Sequence, residues 1–417
     1  MMTFLELTQK LTHKTTLAMA AASMLATVAC APENPRLMAP PVKYAVSATE
    51  AKPTILNVQP KVDIMFVIDN SDSMVDEQET LSKNIDKFAQ KIATNSGIDF
   101  HVGVTSVWDT KMFAGMKKEY GQGELRRLKD PKGQNLPDSF GRFVSSSADY
   151  DSYLAKAGIS LTKEPGWLQV LRASLKIGVE SYNPKHDIDH TGGPENEEIF
   201  SPVVHALSDA NVATANQGFR RVDAHLVLIF ITDSDAWQAD KDGTRSDVAP
   251  GDLEKFLADS LGAGYMDQVT VLGALAKSTD KESDRDPAIR YARLGPTQPD
   301  NILSFIKSMG GKSMGLRGAD YGIEMGKLGS FVRERALTRP HVDISNATPE
   351  RGTVKVSLNG EELVLGEGWV YDDARANSLI ITKDLSGVNG AIDIKVDFTQ
   401  VDAKALNSGR VHGTSIR

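Results

Sequence analysis

Hydrophobic positions follow two alternating patterns between residues 61 and 338. Short, almost continuous apolar runs predict buried strands, and stretches with apolar residues three to four positions apart predict helices. Alternation of the two is typical of βαβ units, so we expect an α/β domain with a doubly wound, mostly parallel sheet covered by helices on both faces. The predicted strands are Ile64–Ile68, Phe100–Val107, Leu226–Thr232 and Val269–Gly273, and the predicted helices are Glu77–Ile92, Trp167–Val179, Glu198–Leu207, Leu253–Leu261, Asn301–Ser308 and Tyr321–Ala336.

The alternation is interrupted near residues 109–161, where Gly, Ser, Lys and Asp are frequent. We expect an insertion there, carrying a short hairpin near Gly123–Leu128 and Arg142–Ser145. From residue 339 to residue 399 the pattern changes to short alternating runs, with the turn signal Asn359-Gly360 between two of them. This pattern predicts a small C-terminal antiparallel β module, followed by a tail at residues 400–417.

The pattern of the first sixty residues predicts a targeting signal followed by an extended tether. The apolar stretch Leu17–Ala29 follows a basic start and is too short to span a bilayer, which is typical of a secretory signal. Thr27-Val28-Ala29-Cys30 resembles a bacterial lipobox, although Thr27 stands where Leu is usual. The resemblance implies a lipoprotein signal peptide at residues 1–30 and a palmitate-bearing lipid on Cys30; the alternative is a plain signal peptide that leaves Cys30 as a free thiol. Residues 31–60 are rich in proline, and we expect an extended tether.

Bulk composition narrows the class of protein only slightly. The chain has 417 residues, of which 41% are hydrophobic and 24% are charged, as in an ordinary soluble globular protein. Its formal net charge of −8 argues against a nucleic-acid-binding surface, which needs clustered Lys and Arg.

Candidate chemistry follows the two most apolar strands. Asp69, Ser71 and Ser73 come directly after the first strand, and Asp233 comes directly after Leu226–Thr232. Doubly wound sheets bind ligands at the carboxyl ends of their strands, so we expect both Asp residues at that edge. Carboxylate and hydroxyl oxygens are ligands that Mg²⁺ prefers. The alternative is that Asp69 and Ser71 only cap the following helix.

The Asp-x-Ser-x-Ser pattern together with the distant Asp resembles the von Willebrand factor type A (VWA) domain. In that family these residues form a metal-ion-dependent adhesion site (MIDAS). The resemblance implies Mg²⁺, or Mn²⁺ or Ca²⁺, on Asp69, Ser71, Ser73 and Asp233, and capture of an acidic side chain of a partner. The family completes the site with a Thr.

No such Thr stands in the expected loop of this sequence, which reads Gly192-Gly193-Pro194-Glu195-Asn196-Glu197-Glu198. We expect Glu197 to take that place, with Glu195 as the alternative; a solvated acidic first helical turn would explain both residues equally well. Asp235 is expected to be an exposed loop residue, with a role in holding a metal-bound water as the alternative.

These expectations combine into one functional hypothesis. The chain is expected to be a non-enzymatic VWA lipoprotein, anchored by lipid in the cell envelope of a bacterium, in the outer membrane, on its surface or periplasmic face. It is expected to bind a protein or surface ligand through the metal, and no nucleic acid. The alternatives are a periplasmic envelope-assembly factor that uses the same site, and a metal-dependent hydrolase.

Overall fold

A computed structural model describes residues 52–93, 97–107, 123–161, 164–178, 198–236, 247–277, 298–344, 349–388 and 392–400. No helix among these residues combines the length and the apolar character that crossing a membrane requires. The helices are α1 (Val75–Ala93), α2 (Tyr150–Lys156), α3 (Gly166–Leu175), α4 (Ser201–Ala206), α5 (Asp209–Val212), α6 (Pro250–Leu261), α7 (Asp300–Ser308) and α8 (Tyr321–Thr338). The strands are β1 (Lys52–Val58), β2 (Lys61–Ile68), β3 (Asp99–Ser106), β4 (Phe143–Ser145), β5 (Ala224–Thr232), β6 (Val269–Leu275), β7 (Lys312–Gly315), β8 (His341–Asp343), β9 (Lys355–Leu358), β10 (Glu361–Leu363), β11 (Trp369–Tyr371), β12 (Ser378–Ile381) and β13 (Ile394–Gln400).

The main sheet has six strands in the order β4-β3-β2-β5-β6-β7, and all neighbours are parallel except β3 and β4. The chain first builds outward from β2 on one side and then returns to place β5, β6 and β7 on the other. The topological switch point therefore lies between β2 and β5. Both strands are buried over almost their whole length, which is why their sequences are apolar runs. The doubly wound α/β fold is confirmed.

Side chains of β2 alternate between two hydrophobic cores, as strand geometry requires. Ile64, Phe66 and Ile68 belong to a core that also contains residues of α1, α3 and α8. Met65 and Val67 belong to a core that contains residues of α4, α6 and α7. Helices therefore cover both faces of the sheet, and the ends of β2 are held in place from both sides.

Helices α1 and α8 approach each other closely because glycine lies at their contact. A Cβ on Gly329 would lie 2.5 Å from the carbonyl oxygen of Phe88, whereas a Cβ on Gly326 would lie 3.8 Å from that of Lys87. The first position excludes any side chain without movement of the backbone, and the second tolerates ordinary contact. This packing fixes the direction of α1, which begins directly after the candidate site.

A cluster of ion pairs occupies the amino-terminal edge of the sheet. Arg221 donates from Nε to Asp63 Oδ1 at 2.8 Å and from Nη1 to Asp99 Oδ2 at 2.5 Å. Burial raises the pKa of Asp63 to about 7, against the opposing effect of the Arg221 charge. Lys61 pairs at 2.6 Å with Asp223, and these contacts tie three strands together far from the carboxyl edge.

The C-terminal module consists of two small antiparallel sheets, in the orders β11-β12-β8 and β1-β13-β9-β10. The predicted turn at Asn359-Gly360 joins β9 to β10, with φ of 50° and 85° at these residues. One boundary needs correction, because the expected tether at residues 31–60 includes β1, which pairs with β13 over seven positions. Pro53 is compatible with this strand because β1 lies at the edge of its sheet.

Two further strands differ from the expectations. The predicted hairpin between residues 123–128 and 142–145 is wrong, because β4 pairs with β3 instead, Phe143 opposite Gly103. The short strand β7 extends the parallel sheet beyond β6 and was not predicted, since Lys312-Ser313-Met314-Gly315 contains no apolar run.

Candidate functional site

The candidate site lies at the switch point, where the carboxyl ends of β2 and β5 are neighbours. Ile68 and Ile231 are paired in register, and the backbone N–H of Asp69 donates to the carbonyl of Ile231 at 2.9 Å. This contact extends the pairing one residue beyond β2 and brings Asp69 beside Asp233. Both Asp residues are more than nine-tenths buried, at 0% and 7% exposure.

Hydrogen bonds join the four predicted side chains into one continuous group. The backbone N–H of Ser71 donates to Asp69 Oδ1 at 2.8 Å. The hydroxyls of Ser71 and Ser73 lie 2.9 Å apart, and Ser73 Oγ donates to Asp233 Oδ1 at 2.9 Å. We call Asp69, Ser71, Ser73 and Asp233 the carboxylate–serine site.

The side chains of Asp69 and Ser71 do not cap α1, although Gln78 of α1 donates from Nε2 to the backbone carbonyl of Asp69 at 3.1 Å. Asp69 Oδ2 accepts from the hydroxyl of Thr232 at 2.8 Å, so both of its oxygens are used inside the site. Ser71 precedes the 3₁₀ turn Asp72–Met74 without a side-chain capping bond. The geometry therefore gives these two residues a place in the site that simple helix capping does not describe.

Burial dominates the electrostatics of the site. Burial first, and then the nearby charge of Asp233, raise the pKa of Asp69 from 3.8 to a net value of about 7. Hydrogen bonds from Ser71 and Thr232 act in the opposite direction but only partly offset these effects. Ionisation of Asp69 in the folded protein is therefore unfavourable in free energy, and a cation that offsets the charge would stabilise the ionised form.

An ion pair that the sequence did not predict borders the site. Arg317 follows β7 and donates from Nε to Glu77 Oε1 of α1 at 2.6 Å. Its Nη2 lies 3.6 Å from Asp233 Oδ2. Burial raises the pKa of Glu77, while its bond to Arg317 lowers it. The only sequence signal for Arg317 is its position at the carboxyl end of a strand that was itself not predicted.

Asp235 is not the exposed loop residue that the sequence led us to expect. It is 8% exposed, and its Oδ1 and Oδ2 accept from the backbone N–H groups of Ile302 and Asn301 at 3.1 and 3.0 Å. Asn301 Nδ2 also donates to it at 2.9 Å. Asp235 thus accepts from N–H groups in the first turn of α7 that have no partner within the helix. Its carboxylate is buried in this contact and is not exposed at the surface.

Asp247 has the same kind of role at α4. Its Oδ1 accepts from the backbone N–H groups of Phe200 and Ser201 at 3.0 and 2.8 Å. Glu197, Glu195 and Cys30 lie outside the described residues.

The donors of the carboxylate–serine site suit a hard cation. Among the described residues, no three His, Cys, Asp or Glu side chains form a metal cluster, so the donor set consists of two carboxylates and hydroxyls. Oxygen donors of this kind suit Mg²⁺, Mn²⁺ or Ca²⁺. Asn70 lies inside the loop with both polar side-chain atoms buried, and neither has a hydrogen-bond partner among the described residues. Unsatisfied buried polar groups are rare, and their presence fits a site that takes up a further group.

The strand order, the single antiparallel edge strand and the position of the site at the switch point define a doubly wound α/β fold. Structures similar to the chain include a von Willebrand factor type A protein from Catenulispora acidiphila, at 12% identity and a TM-score of 0.31, covering 84% of this chain and 66% of that one. The pilus adhesin SpaC from Lactobacillus rhamnosus GG matches at 10% identity and a TM-score of 0.33, covering 83% of this chain and 40% of that one.

The human COPII-coat protein Sec24c matches at 10% identity and a TM-score of 0.30, covering 83% of this chain and 40% of that one. The chain therefore spans between two fifths and two thirds of the length of these three proteins. No protein-family model and no curated protein matches the sequence.

Proposed function

We propose that the chain is a binding protein that captures an acidic group of a partner through a divalent cation held at the carboxylate–serine site. The observation that carries the proposal is the hydrogen-bonded group formed by Asp69, Ser71, Ser73 and Asp233 at the switch point of the sheet. A bound cation would supply a Lewis-acidic position for a carboxylate of the partner. The protein residues hold the oxygen donors in place and keep water from Asp69.

The resident charges explain why a cation would be retained. Asp69 and Asp233 are buried side by side; burial raises the pKa of Asp69, and repulsion from Asp233 contributes to the increase. Arg317 approaches Asp233 only to 3.6 Å and is already bonded to Glu77, so it offsets this repulsion only in part. A divalent ion would offset the remaining repulsion between the two carboxylates, and the hydroxyls of Ser71 and Ser73 would be neutral ligands of the ion.

Calorimetric titration with Mg²⁺ and with Mn²⁺ tests the metal site. Asp69→Asn and Asp233→Asn keep the size of each side chain and remove one charge, and each is expected to abolish measurable binding. Asp138→Asn is the matched control, because it makes the same change in a side chain that is 84% exposed. Equal metal affinity in all four proteins would overturn the proposal.

We further propose that the protein acts in the bacterial cell envelope, anchored in the outer membrane by a lipid on Cys30. The support is the lipobox-like segment ending at Cys30, the only cysteine in the chain. Cys30→Ser is expected to lose labelling with palmitate and to leave the membrane fraction. Protease treatment of intact cells separates display on the surface from a periplasmic position, and hence adhesion from envelope assembly. If the variant still pellets with membranes in high salt, the lipid is not what holds it.

We propose a binding protein and not an enzyme. The assay is binding of an acidic peptide to immobilised protein in Mg²⁺ and in EDTA, run in parallel with hydrolysis of a model ester. Metal-dependent capture without hydrolysis is the expected result, and metal-dependent turnover that is lost in Asp69→Asn would establish the hydrolase instead.

A further inference from the structure

A cavity of about 360 Å³ opens beside the carboxylate–serine site, at the carboxyl ends of β6 and β7. Arg317 and Tyr321 line it together with buried residues of the two strands, and Lys277, Asp320 and Glu324 also line it. Arg317 connects the cavity to the site, since the same guanidinium group lies 3.6 Å from Asp233.

Three hydrogen-bond donors of Arg317 and Tyr321 lie buried behind the surface of this cavity and have no acceptor among the described residues. They are Nη1 and Nη2 of Arg317 and the hydroxyl of Tyr321. The Arg317 side chain is 10% exposed and Tyr321 is 3% exposed, so bulk water does not satisfy them. Leaving such groups unsatisfied is costly, which indicates that an acceptor belongs there.

The protonation state of Tyr321 is settled by its surroundings. Burial raises the pKa of its hydroxyl, and the charge of Glu77 raises it further. Tyr321 therefore remains a donor at physiological pH. The guanidinium of Arg317 is always charged, and its planar fork matches the two oxygens of a carboxylate.

Charges around the cavity decide when an anion can enter. The guanidinium of Arg317 lies between the carboxyl groups of Glu77 and Asp233, and Lys277 adds a second basic group to the cavity lining. Without a cation, the carboxyl groups beside Arg317 oppose the entry of another carboxylate. A divalent cation on Asp69 and Asp233 would offset that opposition. On the remaining wall, Glu324 is paired with Lys327 at 2.6 Å, and Asp320 is exposed to solvent.

We propose that this cavity is a second subsite of the same binding surface, in which Arg317 and Tyr321 hold a carboxylate of a peptide ligand. The inference rests on the proposed function, because the cation of the carboxylate–serine site supplies the charge that admits the anion. Metal and carboxylate then each strengthen binding of the other by the same factor. A ligand with two acidic groups would engage both subsites.

The test follows the Nε–H resonance of Arg317 in full-length protein labelled with ¹⁵N at arginine, and Arg317→Lys identifies the resonance by its loss. The chemical probe is the N-acetyl amide of glutamate, titrated in Mg²⁺ and in EDTA, and the neutral N-acetyl amide of glutamine is the matched ligand. Tyr321→Phe removes one donor and keeps the ring, and Arg127→Lys changes an exposed arginine as the control variant. The Arg317→Lys protein is assayed by calorimetry with the same two ligands.

The expected result is a saturable shift with the glutamate compound in Mg²⁺, and little or none with the glutamine compound. Tyr321→Phe and Arg317→Lys should each raise the dissociation constant about tenfold, as for loss of a hydrogen bond to a charged group, and Arg127→Lys should not. Equal shifts with both compounds would mean that the cavity accepts any polar group, and no shift with either would mean that it holds only water. Either result would overturn the inference.

Metal titration of the same samples separates the two proposals. If Mg²⁺ binds but neither Tyr321→Phe nor Arg317→Lys changes affinity for the glutamate compound, the subsite is refuted and the metal proposal stands. If Mg²⁺ does not bind but the glutamate compound still shifts Arg317 selectively, the metal proposal and its coupling to the cavity are both refuted, and only carboxylate binding by Arg317 and Tyr321 stands. Absence of both signals refutes both.

Discussion

Replacing Asp69 by Asn should change how stability depends on pH. In the folded protein, burial and the charge of Asp233 raise the pKa of Asp69 from 3.8 to about 7. The folded state therefore binds this proton more tightly than the unfolded state does. Stability of the metal-free wild type should fall as the pH rises from about 4 to about 7. Asp69→Asn removes the titrating group, so the variant should not show this part of the loss of stability between pH 4 and pH 7.

The size of the effect follows from the shift. A difference of about 3 pKa units corresponds to about 4 kcal/mol of unfolding free energy at pH 8, at 1.36 kcal/mol per unit. At pH 5 the unfolded carboxyl is ionised while the folded one is not, and the loss of unfolding free energy is only about 1 to 2 kcal/mol. Relative to wild type, Asp69→Asn should therefore gain about 2 to 3 kcal/mol between pH 5 and pH 8.

Urea unfolding in EDTA at several pH values measures this difference. Asp63 also titrates with a raised pKa of about 7, but it is present in both proteins and cancels in the comparison. In saturating Mg²⁺ the wild type should recover stability at pH 8, because the ion binds the ionised carboxylate, and Asp69→Asn should not. Parallel pH profiles for the two proteins in EDTA would refute the assignment of Asp69 as the buried titrating group.

Three further changes test other parts of the molecule. Glu197→Thr should weaken Mg²⁺ binding yet strengthen capture of carboxylate ligands, because it removes a charge that neutralises the ion; if calorimetry shows neither change, Glu197 is a solvated residue. Arg221→Met should cost about 3 to 5 kcal/mol in urea unfolding by leaving a buried carboxylate unpaired, whereas Arg127→Met, at an exposed pair, should cost less than about 1 kcal/mol. Gly329→Ala should lower stability by about 1 to 3 kcal/mol through overpacking, while Gly326→Ala should raise it by about 0.5 to 1 kcal/mol, and equal effects would show that helix propensity alone governs both positions.

The central strands of the fold were predictable because a strand that is buried on both faces consists of a continuous apolar run. β2 and β5 are apolar runs, and each is followed at once by an Asp, so strand topology alone places Asp69 and Asp233 at one edge. The spacing of Ser71 and Ser73 places both hydroxyls in the following turn. Local pattern and tertiary structure agree at these positions.

The parts of the fold and site that the sequence did not predict depend on contacts between residues far apart in the sequence, and no local pattern indicates such contacts. Glu77 and Arg317 are 240 positions apart in the sequence and form a direct ion pair in the fold. No residue next to either one in the sequence indicates this pairing. Asp235 looks like part of a polar loop until its carboxylate is seen to accept from α7. β1 was missed because Pro53 lies within it and its partner is far along the chain.

The pairing of β1 with β13 has a consequence for synthesis. β1 leaves the ribosome before any strand of the α/β sheet, yet its partner is the last strand of the described chain. Until β13 is synthesised, the N–H and C=O groups of β1 lack their partner strand and are open to wrong pairing, a hazard that Pro53 reduces. The ladder can form only after β13 has been synthesised, and a chain cut before β13 would leave β1, at the opposite end of the described chain, without a partner strand.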